Sequence, residues 1–239
     1  MREVILEEID STNSYAKLNI DNLEDKTVIS SKRQTQGRGR LNRKWIDLGE
    51  GNLFMTILLK PSEKFLNVYA NLTQYLSVCL VKVLSEYGID AQIKWPNDVL
   101  VNGKKIAGIL SESVSQGGKI KGIVLGIGVN LNAKKSDIES VPDKIATSLN
   151  LETEKNIDVE EFRQSLLAEF FSKYEDFLSV GFEMIENDYI SKNCFIGKEL
   201  QVQVFDKVEF GFAKSVNSAG ELVLQKDDKE LVLTIGDII

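Results

Sequence analysis

"IKWPNDVLVNGKKIAGILSESVSQGGKIKGIVLGIGVNLN", Ile93 to Asn132, consists of runs rich in Val and Ile cut by two turn signals, Asn102-Gly103 and Gln116-Gly117-Gly118. Such residues accept the positive φ of tight hairpins, so the stretch reads as an antiparallel meander and the middle of the chain as sheet. Upstream, "GNLFMTILLKP" is a nearly continuous apolar run ended by Pro61, the pattern of a strand buried on both faces. "EVILEEI" and "TVISS" read as short strands, and the cap-type residues of "DSTNSYAKL" between them open a helix. Leu66, Tyr69, Leu76, Leu80, Val83, Leu84 and Tyr87 recur at helical spacing before Gly88, which predicts one helix packed on the sheet. Asp158 and Glu161 form a capping-box pattern ahead of Phe162, Leu166, Phe170, Tyr174 and Phe177, predicting a single helix that runs to Gly181. A shorter helix is expected over "EMIENDYISKN". From Gly197 onward, "ELQVQVF", "EFGFAKSV", "ELVLQK" and "ELVLTI" predict a small barrel that docks on the main domain, since a unit this small buries little alone.

The 239 residues suffice for one core with a small appended domain, and 43% hydrophobic with 27% charged residues is globular composition. A net charge of −7 disfavours nucleic acid and anionic lipid as long-range partners. The opening "MREVILEEID" lacks the long apolar region of a signal peptide and no later stretch reaches the length of a membrane span, so the cytoplasm is the expected location. Cys79 and Cys194 stand far apart in no metal-ligand spacing, and Cys79 falls on an apolar helix face. Histidine is absent, which excludes Ser-His-Asp and Cys-His triads, His-ligated zinc and imidazole bases. Chemistry here runs on Lys, Arg, Asp, Asn and metal-bound phosphate.

Six bases fall between Lys32 and Lys44, around "QTQGRGRLNRKW", Gln34 to Trp45. Gly37 and Gly39 flank Arg38, which would let the backbone take positive φ and approach a ligand while Arg38 and Arg40 present guanidinium forks to an anion. A solvated basic loop, or an RNA-binding segment with Trp45 as stacking platform, are the competing readings. In "KWPNDV", Asn97 and Asp98 begin a strand after Pro96, and Lys105 returns on its hairpin partner beside Lys94. Lys94 and Asp98 facing Lys105 would set a carboxylate and cations around one space. Asp98 would then hold a metal on phosphate oxygens, and Lys105 would neutralise developing charge; a turn and a surface lysine are the plainer alternatives. "GIGVNLN" lacks the third glycine and the helix of a dinucleotide site. Its glycines suit a strand close to a ligand, with Asn130 reading a polar edge. Asp10 to Asn13, "DSTN", is either a plain N-cap or a binder of a small polar heterocycle.

In this order, "DSTN", "QTQGRGRLNRKW", "KWPNDV", "GKKIAGIL" and "GIGVNLN" resemble the biotin protein ligase family over essentially the whole chain. The resemblance implies an α+β fold: a mixed sheet with flanking helices like the class II aminoacyl-tRNA synthetase core (1–193), then an SH3-like barrel (194–239). It implies biotin and ATP as substrates with Mg²⁺, biotinyl-5′-adenylate as intermediate, and the biotin carboxyl carrier domain of acetyl-CoA carboxylase or another carboxylase as acceptor. Carried over, Ser11, Thr12, Asn13 and Gln34 meet biotin's ureido ring, and Gly37, Arg38, Gly39 and Arg40 form the loop that closes over it. Gly108 keeps its strand thin for biotin, and Lys105 contacts the carboxylate and phosphate. Arg40, Arg43, Trp45, Lys94, Asn97, Asp98, Lys105 and Asn130 lie on the nucleotide side, with Asp98 the candidate Mg²⁺ contact. The expected catalytic set is Lys105, Arg38, Arg40 and Asp98. A lipoate or octanoate ligase of the same architecture and a non-catalytic binding module are the alternatives. Some relatives have Arg-Gly where this chain has Leu41-Asn42, and some carry a DNA-binding domain before the first strand. Starting at that strand, this chain is expected to bind no DNA and no membrane, as a monomer or homodimer.

Overall fold

The computed structural model describes residues 2–62, 68–141 and 146–239. Two sheets organise the chain. The first contains β1 (Glu3–Ile9), β2 (Thr27–Gln34), β3 (Leu53–Leu59), β4 (Ala91–Lys94), β5 (Asp98–Val101), β6 (Lys104–Gln116) and β7 (Lys119–Val129) in the order β1-β2-β3-β7-β6-β5-β4. It is mixed: β1 and β2 are parallel and every other pair is antiparallel. The expected meander is β5-β6-β7, and its turns use positive φ at Asn102, Gly103, Gly117 and Gly118. Every residue of β3 is buried, as its unbroken apolar run requires.

Period two sorts the strands into faces. Met55, Ile57, Leu125 and Ile127 join the main core with α2 (Leu72–Glu86), α5 (Val159–Ser172) and α6 (Tyr174–Val180). On the opposite face, Leu58 and Val124 pack with Ala16 of α1 (Thr12–Leu18), Ile20 and Leu23. That second cluster is small, so much of its face stays open. The short helices α3 (Lys135–Glu139) and α4 (Leu149–Thr153) follow β7, and α7 (Glu186–Ser191) precedes the second sheet.

Three helix expectations change. The helix before Gly88 starts at Leu72; Tyr69 belongs to a 3₁₀ turn ahead of it, and Leu66 lies outside the described residues. Asp158 does cap α5, its carboxylate accepting from the Glu160 and Glu161 amides. The helix expected to reach Gly181 is two, α5 and α6, divided at Lys173, whose φ of −128° leaves the helical region. Phe170 of α5 stacks on Tyr174 of α6 across the division, centroids 5.3 Å apart, and Tyr75 of α2 meets both Phe170 and Phe177, so the aromatic stripe continues although the helix does not. "EMIENDYISKN" contributes only α7, after a 3₁₀ turn at Gly181–Met184.

The second sheet holds β8 (Glu199–Val204), β9 (Lys207–Val216), β10 (Leu222–Lys226), β11 (Lys229–Leu233) and β12 (Asp237–Ile238), in the order β11-β10-β9-β8-β12. β12 is a fifth strand that the four-segment reading missed. The sheet is anchored through the turn after β9: Asn71 Nδ2 donates to Ala219 O at 2.8 Å and Gln74 Nε2 to Gly220 O at 2.7 Å. Gly220 has φ +78°, and a Cβ there would sit 2.4 Å from Asn71 Nδ2, so only glycine fits.

Cys79 is buried in α2, where loss of hydration pushes its thiol up to about 12. Burial likewise raises the phenols of Tyr75, Tyr174 and Tyr189. An acid whose folded pKa is raised contributes stability below its unfolded value and loses it as pH climbs toward the folded one. Stability should therefore fall from about pH 9 toward 12, and Cys79→Ala should flatten the first part of that fall in urea titrations at stepped pH. No helix among the described residues is long and apolar enough to cross a membrane.

Candidate active site

A cavity of about 410 Å³ opens on the sheet face that α1 leaves uncovered. Its bed is β7 and the residue that follows it, where Gly126, Gly128 and Asn130 line the cavity over about 13 Å at strand rise. The half-fingerprint "GIG" is thus two glycines on one face of a strand, with no helix opening after it. A Cβ at Gly126 would lie 2.2 Å from Asn13 Oδ1, and one at Gly128 2.5 Å from the Trp45 ring. Gly108 on β6 is similar, its Cβ 2.9 Å from Trp45 Cζ3 and 3.2 Å from Lys105 Nζ. In this structure the thin strand admits the indole of Trp45 and the Lys105 chain.

At the Gly126 end the groups are neutral and polar. Ser11 occupies the N-cap position of α1 but makes no side-chain capping bond, leaving its hydroxyl to the cavity. The Thr12 amide donates to Gln34 Oε1 at 2.8 Å, which turns the Gln34 NH₂ group toward the cavity. Asp47 fixes that residue by accepting from its backbone amide at 3.0 Å. Asn13 is different: its Nδ2 reaches Leu110 O and Glu112 Oε2, and its Oδ1 accepts from Thr56. It lines the cavity with its polar atoms spent inside the chain.

The other end is charged. Lys105 Nζ lies 2.6 Å from Asp98 Oδ1 and 5.6 Å from the Trp45 ring centroid. Asn97 stands at the head of β5, donating to Ile109 O and receiving Arg40 Nη1 at 3.3 Å. Lys94 lines the same end, its backbone paired with Asp98. Asn130 also lines the cavity, but its Nδ2 donates to Thr147 O at 3.0 Å.

The basic loop crosses between these ends. The expected positive φ at Gly37 and Gly39 does not occur; Gly39 is extended, and the left-handed residue is Leu41 at φ +50°. The glycines serve close approach instead. Arg38 bridges to Lys44 as a two-stranded pair, and a Cβ at Gly37 would fall 2.5 Å from Trp45 O. Arg38 extends to Glu112, Nη2 to Oε1 at 3.2 Å. Arg40 Nη1 meets Asp237 Oδ1 at 2.7 Å and Gly236 O at 2.9 Å, and Arg43 Nη1 meets Asp237 Oδ2 at 3.0 Å. Strand β12 therefore supplies an anion to the loop, and the cavity borders on both sheets.

Sequence reasoning missed Glu112, Thr56 and Asp237. Glu112 shares the face of Gly108 and Leu110 by period two, a usable signal; Asp237 had none.

Fold and cavity together define an α+β protein with a cavity that is neutral and polar at one end and charged at the other. The family model "Biotin/lipoate A/B protein ligase family" matches residues 5–130. A biotin–[acetyl-CoA-carboxylase] ligase of Paracoccus denitrificans is 32% identical over 92% of this chain and 93% of its own. The bifunctional ligase/repressor BirA of Bacillus subtilis is 31% identical over 87% of this chain; the match spans 64% of that protein. The structure of Aquifex aeolicus biotin protein ligase in complex with biotin and ATP superposes with a TM-score of 0.82 at 28% identity, covering 100% of this chain and 97% of that one. The chain belongs to the biotin/lipoate A/B protein ligase family.

Proposed function

We propose that the protein is an ATP-dependent ligase that activates biotin as biotinyl-5′-adenylate and transfers the biotinyl group to one lysine of a biotin carboxyl carrier domain. The observation that carries this reading is the neutral end of the cavity. A cyclic urea offers a carbonyl acceptor and N–H donors, which the Gln34 NH₂ group and the Ser11 and Thr12 hydroxyls complement. The dithiolane of lipoate, or an octanoyl chain, would bury those groups unpaired, a cost of about 1–3 kcal/mol each. The names of the Paracoccus and Aquifex relatives agree with biotin and ATP.

In the first step the biotin carboxylate oxygen bonds to the α-phosphorus of ATP and pyrophosphate leaves. Two anions must meet, so positioned cations and alignment supply the catalysis. Lys105 and Arg38, with Arg40, are placed to screen that approach, while Trp45, Asn97 and Asn130 border the nucleotide's end. Mg²⁺ would ride on the phosphates: among the described residues there is no cluster of three metal-binding groups, and Asp98 is already tied to Lys105. In the second step the acceptor amine bonds to the acyl carbon, AMP leaves and the amine loses a proton. The reading extends to a class II synthetase-like core over 1–193 and an SH3-like unit over 194–239.

Incubation with ATP, Mg²⁺, biotin and a carrier domain should add one biotinyl group to one lysine, seen by intact-mass spectrometry and absent when that lysine is arginine. Modification with octanoate or lipoate and none with biotin would reverse the choice of substrate.

A further inference from the structure

We infer that Asn52 is a positioning residue for the reaction: with Asn132 it clasps the root of the basic loop to the end of β7, and so holds the loop's cations in register with Lys105 and Asn130. This rests on the ligase reading above and concerns the alignment of the cavity's charged end.

The loop passes Asp47 and rejoins the sheet at Leu53, so residues 49–52 are its root. Asn52 is 3% exposed and uses both ends of its amide. Its Nδ2 donates to Gly49 O at 3.0 Å, while its Oδ1 accepts from the Leu131 amide at 2.9 Å and the Asn132 amide at 3.2 Å. Asn132 answers in the other direction. Its Nδ2 donates to Gly51 O at 3.0 Å and to Ile157 O at 2.8 Å, and its Oδ1 accepts from the Ile157 amide at 2.9 Å. Each asparagine thus grips the backbone of the other's segment. Gly51 fits between them at φ +94°, where a Cβ would stand 3.2 Å from Asn132 Cβ.

The gripped segment leads directly to the charged end. The Asn130 amide donates to Ile106 O and the Thr147 amide to Lys105 O, both at 2.9 Å, and Asn130 Nδ2 closes the ring on Thr147 O. Lys105 and Asn130 therefore share one frame, and Asn52 fastens the loop to it. Asp47 fastens the same root to β2, accepting from the Gln34 and Gly49 amides. Neither asparagine lines the cavity, so both act through what they hold. Slack in the root would shift Trp45, seated over Gly108 and Gly128, and with it Arg38 and Arg40 relative to Lys105. Two anions that must meet among those cations depend on that alignment.

Asn52→Asp separates the two grips, because a carboxylate still accepts from Leu131 and Asn132 but gives no hydrogen to Gly49 O. In the full chain, acrylamide quenching of fluorescence reads Trp45, since Trp95 is only 2% exposed. Asn52→Asp should raise the quenching constant at least about twofold. Biotin-dependent pyrophosphate exchange should lose about tenfold in kcat, the worth of one buried hydrogen bond, with KM for ATP changed less than about threefold. Asn132→Asp, on a half-buried residue, should do the same by releasing Gly51 O, without depending on a core substitution. A lowered melting temperature with wild-type quenching and wild-type kcat would make the clasp structural only and overturn the inference. Two variants indistinguishable from wild type would overturn it as well. Wild type without biotin-dependent exchange overturns the ligase reading instead, and the quenching comparison then decides the clasp on its own.

Discussion

Lys105→Ala lowers biotin-dependent exchange of pyrophosphate into ATP by about 10²–10³-fold, the usual cost of removing one group that stabilises developing charge. Lys105 is the cation that neutralises Asp98, at 2.6 Å, where the cavity narrows beside Trp45. Its removal has two consequences of the same sign. The incoming carboxylate and α-phosphate lose their screening charge, and Asp98 becomes a third anion at the point where two must meet. The side chain is 30% exposed and belongs to no core cluster, so the fold should survive with its melting temperature little changed. Lys105→Arg should recover part of the rate, because charge is kept but the fork is broader. Unchanged exchange in the alanine variant would remove Lys105 from the chemistry.

Asp237→Ala should be strongly damaging although the residue belongs to no apolar core. Its carboxylate is 10% exposed and joins Arg40, 18% exposed, to Arg43, which is half-exposed and adds little. Breaking a largely buried pair strands the remaining charge, for which about 2–3 kcal/mol is reasonable at this exposure. For a chain of this size that corresponds to roughly 5–10 °C in melting temperature. Because Arg40 also reaches Asn97, its release should free the basic loop and speed escape of the adenylate, measured by chase with unlabelled biotin. Asp237→Asn, which keeps one acceptor, should fall between. A variant with wild-type stability and wild-type adenylate retention would show that β12 is a bystander.

What was legible in the sequence was what local chemistry dictates. Asn102-Gly103 and Gly117-Gly118 carry the positive φ of their hairpins, and the unbroken apolar run of β3 matches a strand buried on both faces. The break at Lys173 was hidden because Tyr174 and Phe177 keep the apolar stripe going without a glycine or proline to mark the end. The basic loop is plain in the sequence, but the role of its glycines is not. They permit close approach across the loop, while the left-handed turn falls on Leu41. Asn13 reads as a ligand because spacing places it beside Ser11 and Thr12; only the fold brings Glu112 and Leu110 to its amide. The Arg40–Asp237 pair spans 197 positions, and nothing local to either residue announces the other.

If this cavity joins biotin to the α-phosphate of ATP, the activated acid itself should be recoverable. Incubating the protein with ATP, Mg²⁺ and either biotin or lipoate, then identifying the acyl-adenylate by mass spectrometry, tests this most directly. Biotinyl-5′-adenylate should accumulate with biotin, with little or no lipoyl-adenylate. No adenylate with biotin, or preference for lipoate, would contradict the proposed chemistry.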